Sequence, residues 1–111
     1  MSTPTFQALV LYPNGSYATK TLTDEQMGQE VQGHLQFLAI RRKILPTTNA
    51  YVNEDGIRKN LPQSAWSGFF RSVSLFGNIV LCSCDENGEN ADVKKEVILA
   101  VETYAYHTFG Y

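Results

Sequence analysis

Residues Asn49 to Ala65 read N-A-Y-V-N-E-D-G-I-R-K-N-L-P-Q-S-A, and the way this stretch divides into elements decides the fold. Thr48 to Asn53 is expected as a strand. Asp55-Gly56 then suits a tight corner, with Asn53-Glu54 leading in and the glycine left-handed. Ile57-Arg58-Lys59-Asn60 is expected to return as a short strand. Leu61-Pro62 ends it, because proline removes a donor from the ladder. On this reading the chain is built from antiparallel hairpins.

Upstream, Phe6-Gln7-Ala8-Leu9-Val10-Leu11-Tyr12 is rich in strand formers, and Pro13-Asn14-Gly15 supplies the chemistry of a turn. Ser16 to Leu22 is the second arm of that hairpin. Thr23-Asp24-Glu25-Gln26 matches a capping box, with Leu22 and Met27 at the staple positions on either side. The spacing predicts a short helix from about Asp24 to Gln32, with Met27 and Val31 one turn apart on its buried side. Gly33 is expected to stop it in a left-handed conformation. His34 to Ile40 follows as a strand, apolar on both faces late in its run and therefore expected in the middle of the sheet. Arg41-Arg42-Lys43 is a short basic cluster that reads as a solvated strand end, or more sharply as a contact to phosphate or an acidic partner.

Downstream, Ser64 to Phe70 is expected as a short helix or turn that packs Trp66, Phe69 and Phe70 inward. Gly77 enters the most apolar strand, Asn78 to Cys84, which is expected to be central. Asp85 to Ala91 is a polar loop. It fails the calcium-loop pattern, because Gly88 arrives at the fourth position rather than the sixth. From Asp92 to about Thr108, Val93, Val97, Val101, Tyr104 and Thr108 step at helical spacing, widened by Ile98 and Ala105. Asp92 offers an oxygen acceptor near the start and Gly110 a stop at the end. The expected architecture is α+β: a mostly antiparallel sheet of five or six strands, packed by a long C-terminal helix and one or two short ones.

The 111 residues bound the chain, 1–111, to one domain. Folding at this size buries roughly two-thirds of the unfolded surface, enough for a core without staples. A net charge of −2 supplies no whole-molecule attraction to phosphate backbones or anionic lipid. Nucleic-acid binding is thereby disfavoured, and would need a local patch such as Arg41, Arg42, Lys43, Arg58 and Lys59. No stretch approaches the roughly twenty apolar residues of a membrane span, and Met1 to Tyr12 lacks the pattern of a secretory signal. Cys82 and Cys84 share one face of a strand and read first as small buried hydrophobes. A vicinal-type disulfide or half a metal site is the sharper alternative, but a zinc site needs two more ligands and the two histidines have no ligand spacing. Two cysteines without a secretory segment fit a reducing cytoplasm. No metal and no cofactor is expected.

No nucleophile elbow, phosphate loop, dinucleotide fingerprint or zinc-protease motif is present in the sequence. Glu54 and Asp55 are adjacent carboxylates that read as a hairpin tip unless the fold encloses one of them. His34 and His107 have no partner at catalytic spacing. The side chains most worth following are therefore Glu54, Asp55, Arg58, Lys59 and His34, with Arg41 and Arg42 beside them. The dense C-terminal aromatics Tyr106, Phe109 and Tyr111 read either as a cover for the sheet edge or as a surface for a homodimer or other partner.

Tyr51-Val52-Asn53-Glu54-Asp55-Gly56, with Lys59-Asn60-Leu61-Pro62 and Ala65 after it, resembles the domain-of-unknown-function family 3846. Val31-Gln32-Gly33-His34-Leu35-Gln36 and Phe76-Gly77-Asn78-Ile79-Val80-Leu81 resemble its strand-entry patterns upstream and downstream. The likeness runs from about Phe6 to Ser83. The family often has Asn where this chain has Ser64. Its members are small proteins of phages, other large DNA viruses, plasmids and bacteria, so the resemblance implies a viral or mobile-element accessory protein in host cytoplasm. It implies no reaction. With the small size and the lack of a catalytic constellation, the expected function is a non-enzymatic module that binds a host or viral macromolecule, such as a protein of host defence. The alternative is a small-molecule or nucleotide-binding domain with or without weak hydrolytic activity, drawn from Asn53-Glu54-Asp55-Gly56 with Arg58, Lys59 and His34. Read physically, Asn53 and Gly56 shape the hairpin, Leu61-Pro62 sets the next corner, and Gly33 and Gly77 mark strand entries.

Overall fold

The structure is a computed structural model that describes residues 4–38, 48–70 and 74–110. β1 (Phe6–Leu11) and β2 (Tyr17–Leu22) form the expected hairpin, with Gly15 left-handed in its turn. α1 (Asp24–Glu30) follows, then β3 (Leu35–Leu38) and β4 (Thr48–Asn53). A short 3-10 helix, Ser67–Phe70, precedes β5 (Ile79–Cys84), β6 (Asn90–Ala91) and the long α2 (Lys95–Phe109). The fold is α+β: a six-stranded antiparallel sheet ordered β2-β1-β5-β4-β3, with β6 also paired to β5.

β5 is central as expected, with Leu81 paired to Leu9 on one side and to Ala50 on the other. The sheet buries both faces of β1 and β5. One face carries Leu9, Leu11, Ala50, Val52, Ile79 and Leu81 against Val97, Val101 and Ala105 of α2 and against Trp66, Phe69 and Phe70. The other carries Phe6, Ala8, Val10, Val80 and Cys82 against Leu22, Met27 and Val31. The alternation of the strands thus feeds two separate clusters, and the near-continuous apolar runs follow from being covered twice.

α1 begins with the capping box: Thr23 Oγ1 accepts from the Gln26 amide at 3.2 Å, and Gln26 Oε1 accepts from the Thr23 amide at 3.0 Å. Its end differs from expectation. The helix stops at Glu30, and the left-handed residue is Gln32, with φ 66°, not Gly33. The Gln32 amide reaches the Gln29 carbonyl and the Gly33 amide reaches that of Gly28, a Schellman closure with Gln32 at its turning point.

β3 is an edge strand, not a central one. Leu35 and Leu38 are half-buried and Phe37 is 58% exposed. Among the described residues, α1 packs over β2, β1 and β5, and of β3 and β4 only Leu35 and Tyr51 reach that cluster, both partly buried. Within Leu35–Leu38, apolar residues on both sides of the strand do not mean full burial on both sides. Ala39 to Lys43 lie outside the described residues.

The expected return strand Ile57–Asn60 does not exist. Residues 54–60 form one helical turn instead. The Lys59 amide bonds the Asp55 carbonyl at 2.9 Å, and the Leu61 amide bonds that of Gly56 at 3.0 Å. Asn60, with φ 55°, takes the left-handed position expected of Gly56. Gly56 sits in a tight place: a Cβ there would lie 3.2 Å from both Cβ and the carbonyl oxygen of Phe76.

The polar loop after β5 is tighter than expected, since Asn90–Ala91 returns as β6. Asp92 does not cap α2. Its Oδ1 accepts from the Gln7 amide at 2.8 Å, while the Val93 amide donates to the Gln7 carbonyl, so residues 92–93 satisfy β1 where it runs past its pairing with β5. Lys94 occupies the cap position, where its side chain does not cap the helix, and Thr108 at the other end is exposed. Gly110 closes α2 with φ 86°, as expected.

Candidate functional site

The turn after β4 is built by Asn53. Its Oδ1 accepts from the Asp55 amide at 2.7 Å, the bond of a helix cap, and places Glu54 and Asp55 in the first turn where acids are favoured. That signal is present in N-E-D-G, and it was masked by the equally good match to a hairpin corner. The other end of the same amide, Nδ2, donates to the Val31 carbonyl at 2.8 Å, and Asn53 is 4% exposed.

Three side chains close the C-terminal end of α1 in this way. Asn78 Nδ2 donates to the Glu30 carbonyl at 2.8 Å, Asn53 to that of Val31, and Lys59 Nζ to that of Gln32 at 3.1 Å. A helix leaves its last carbonyls without internal partners, and a cation there also meets the negative end of the dipole. Gly33 is needed because a Cβ would lie 2.7 Å from both Asn53 Nδ2 and Lys59 Nζ. Downstream, Gly77 (φ 82°) donates its amide to the Pro62 carbonyl at 2.7 Å, and an added Cβ would meet Leu61 Cδ1 at 2.8 Å. Ser64 is 3% exposed, and its Oγ accepts from the Trp66 amide at 3.1 Å, starting the 3-10 helix. A short polar side chain bonding the backbone two residues on is a task Asn performs equally well.

On the outer side of the turn lies an open cleft of about 330 Å3. Glu54, Asp55 and Arg58 line it from the turn, Gln36 from β3, and Ser74 and Phe76 from the segment before β5. Val52, Ile57 and Leu75 supply apolar surface, with Ile57 72% exposed. Asp55 and Arg58 stand 3.9 Å apart, and the Arg58 side chain is 88% exposed. The Ser74 hydroxyl accepts from Gln63 Nε2 at 3.1 Å. The cleft therefore offers carboxylates, one guanidinium and an amide around an apolar floor.

Of the residues singled out in the sequence, Glu54, Asp55 and Arg58 converge here. Lys59 turns away to α1. His34 contributes its backbone, the carbonyl accepting from the Glu54 amide at 2.9 Å, while its side chain is exposed. Arg41 and Arg42 lie outside the described residues. Gln36, Ser74 and Phe76 were not singled out. Alternation in β3 marks Gln36 as facing away from Phe37, but nothing local marks Ser74 or Phe76, which arrive from a distant part of the chain.

Cys82 and Cys84 are free thiols. Burial pushes the Cys82 thiol up to about 12, with the negative charges of Asp24 and Cys84 adding to the effect. Burial likewise raises the Tyr51 hydroxyl. Asn90 ties this corner together, accepting from Tyr51 Oη at 3.1 Å and from Cys82 Sγ at 3.4 Å while donating to Asp24 Oδ1 at 2.9 Å. Among the described residues no group of three His, Cys, Asp or Glu side chains is placed to hold a metal ion, and no helix is long and apolar enough to cross a membrane.

The family described as Domain of unknown function (DUF3846) matches residues 6–106. The chain belongs to this family. The match extends beyond the resemblance read from Phe6 to Ser83 and takes in most of α2. No curated protein and no solved structure matches the chain significantly.

Proposed function

We propose that this DUF3846 protein is a non-enzymatic binding module, a viral or mobile-element accessory protein that takes a segment of a host or viral protein in the cleft beside the Glu54–Arg58 turn. The observation that supports this reading is that Glu54, Asp55 and Arg58 line one cleft, although the fold spends none of these side chains on closing α1. An open cleft with an exposed Ile57 at its rim and charges of both signs suits a polypeptide, which brings its own amides, an apolar side chain and mixed charge. Nucleic acid fits less well: Arg58 has Asp55 beside it, and Lys59 is bonded to the end of α1.

The test is affinity capture from host lysate with the whole chain, its Glu54→Lys/Arg58→Glu variant and a control, Glu102→Lys on α2. A partner kept by the wild type and the control but lost by the cleft variant supports the reading. Partners retained equally by all three overturn it. A second reading is favoured by the size of the cleft, which falls at the lower end of small-molecule sites. Stabilisation by a nucleotide in a thermal-shift screen, abolished in the same cleft variant, would assign the cleft to that class instead.

A further inference from the structure

The outer surface of α2 has an arrangement that the cleft does not use. Glu96, Leu99, Ala100, Thr103, Tyr104 and His107 line an open groove of about 600 Å3 along the helix. Leu99 is 62% exposed, and Glu96, Thr103 and His107 are exposed as well. Their spacing places them on one stripe, and Glu96 and His107 stand about three turns apart. α2 buries Val97, Val101 and Ala105 against the sheet, and Ala100 and Tyr104, at the edge of the groove, are partly buried against the same core cluster.

The order of residues along the groove is its own complement when reversed. An acid stands at the start and a histidine at the end. Leu99-Ala100 precede the middle and Thr103-Tyr104 follow it. About a two-fold axis at the centre of α2, an antiparallel second copy sets Glu96 opposite His107, Leu99 opposite Tyr104 and Ala100 opposite Thr103, each contact occurring twice. Ala100 and Thr103 at the crossing are short enough for helices to approach at about 8–10 Å. Antiparallel helices also bring opposite ends of their dipoles together.

We propose that the occupant of this groove is a second copy of the chain, pairing α2 with α2 in this antiparallel register. This replaces the homodimer expected from the C-terminal aromatics. Phe109 packs on Trp66 with ring centroids 5.1 Å apart and belongs to the core, Tyr106 stands at the border of the stripe with its ring edge-on to His107, and Tyr111 lies outside the described residues. A single helix pair is a small interface, so the dimer is a weak one. The surface is separate from the Glu54–Arg58 cleft, and the failure of either proposal leaves the other standing.

Sedimentation equilibrium of the whole chain over a wide concentration range tests it. A monomer–dimer equilibrium is expected for the wild type. Ala100→Arg places a long cation at the crossing and is expected to leave a monomer with an unchanged circular dichroism spectrum. His107→Glu sets two pairs of like charges in each dimer and raises the dissociation constant about tenfold, each pair contributing a few-fold. Glu96→Arg combined with His107→Glu turns the two like-charge pairs into opposite-charge pairs and restores wild-type affinity to within about threefold. A wild-type chain that stays monomeric throughout overturns the proposal. So does a dimer indifferent to Ala100→Arg, or a double variant as weak as His107→Glu alone, which would place the contact elsewhere or in another register.

Discussion

The turn from Asn53 to Asn60 has two sides that do different things. Its inner side, Asn53, Gly56 and Lys59, is engaged with the rest of the fold: Asn53 and Lys59 hold the end of α1, and Gly56 lets Phe76 approach. Its outer side, Glu54, Asp55, Ile57 and Arg58, lines the cleft and contributes little to the fold beyond one loose ion pair. The inner residues are explained by carbonyls that need donors and by a backbone that leaves no room for a Cβ. Of the outer residues, Glu54 and Asp55 suit the first turn of a capped helix, while Ile57 and Arg58 have no comparable structural explanation. A recognisable motif is therefore mostly a record of what folding demands, and the side chains available for function stand between its most recognisable letters.

The largest effect that would test this division is at Asn53. Asn53→Ala removes a buried amide and strands the Val31 carbonyl and the Asp55 amide, for an expected loss of about 3 kcal/mol in urea unfolding. A loss below about 1 kcal/mol would mean that the motif is not structural after all. Gly33→Ala comes next, at about 2 kcal/mol, because the new methyl displaces the buried Asn53 amide as well as the Lys59 head. A neutral result there would show that α1 can shift away from β4.

The same division separates the two cysteines on one strand face. Cys82 has a folded-state thiol raised well above its ordinary value, so the folded protein favours its neutral form. Its contribution to stability is fully present below the unfolded pKa and is lost as pH rises through the window from about 9 to about 12. Stability measured from pH 8 to pH 11 should fall, and fall less steeply in Cys82→Ala. At pH 8 a thiol reagent should modify the half-buried Cys84 in the native protein and reach Cys82 only on unfolding. Equal labelling of both would mean that the Asn90 corner opens readily.

The smallest expected effects on stability are on the outer side. Glu54→Ala and Arg58→Ala should each change unfolding free energy by no more than about 0.5 kcal/mol, since the Asp55–Arg58 pair is long and largely exposed. The same variants are those expected to weaken partner binding. A marked loss of stability in either would erase the distinction between the two sides of the turn.

Much of the architecture was legible because it is local. The hairpin turn at Pro13-Asn14-Gly15, the capping box at Thr23–Gln26 and the apolar run of β5 each carry their own chemistry within a few residues. The errors fell where two local readings were equally good. N-E-D-G fits both a hairpin corner and a capped helical turn, and the choice goes to the turn that lets Asn53 and Lys59 reach α1. The two-sided apolar pattern of β3 fits a central strand until the extent of α1 is known. Of the cleft, the three charged residues of the turn could be singled out from sequence. Gln36, Ser74 and Phe76 could not, because sequence separation hides which segments meet.

Sequence alone determined the elements whose signals are contained within one turn or one strand, the membership in a family, and the absence of any recognised catalytic motif. Tertiary structure decided which strand lies at the edge, which residues take left-handed conformations and why Gly33 and Gly56 have little room for a side chain. It also decided which of the charged residues near Asn53 turn inward. The physical reason is that backbone propensity acts over a few neighbours, whereas the satisfaction of a carbonyl or the room for a Cβ depends on groups brought from elsewhere in the chain.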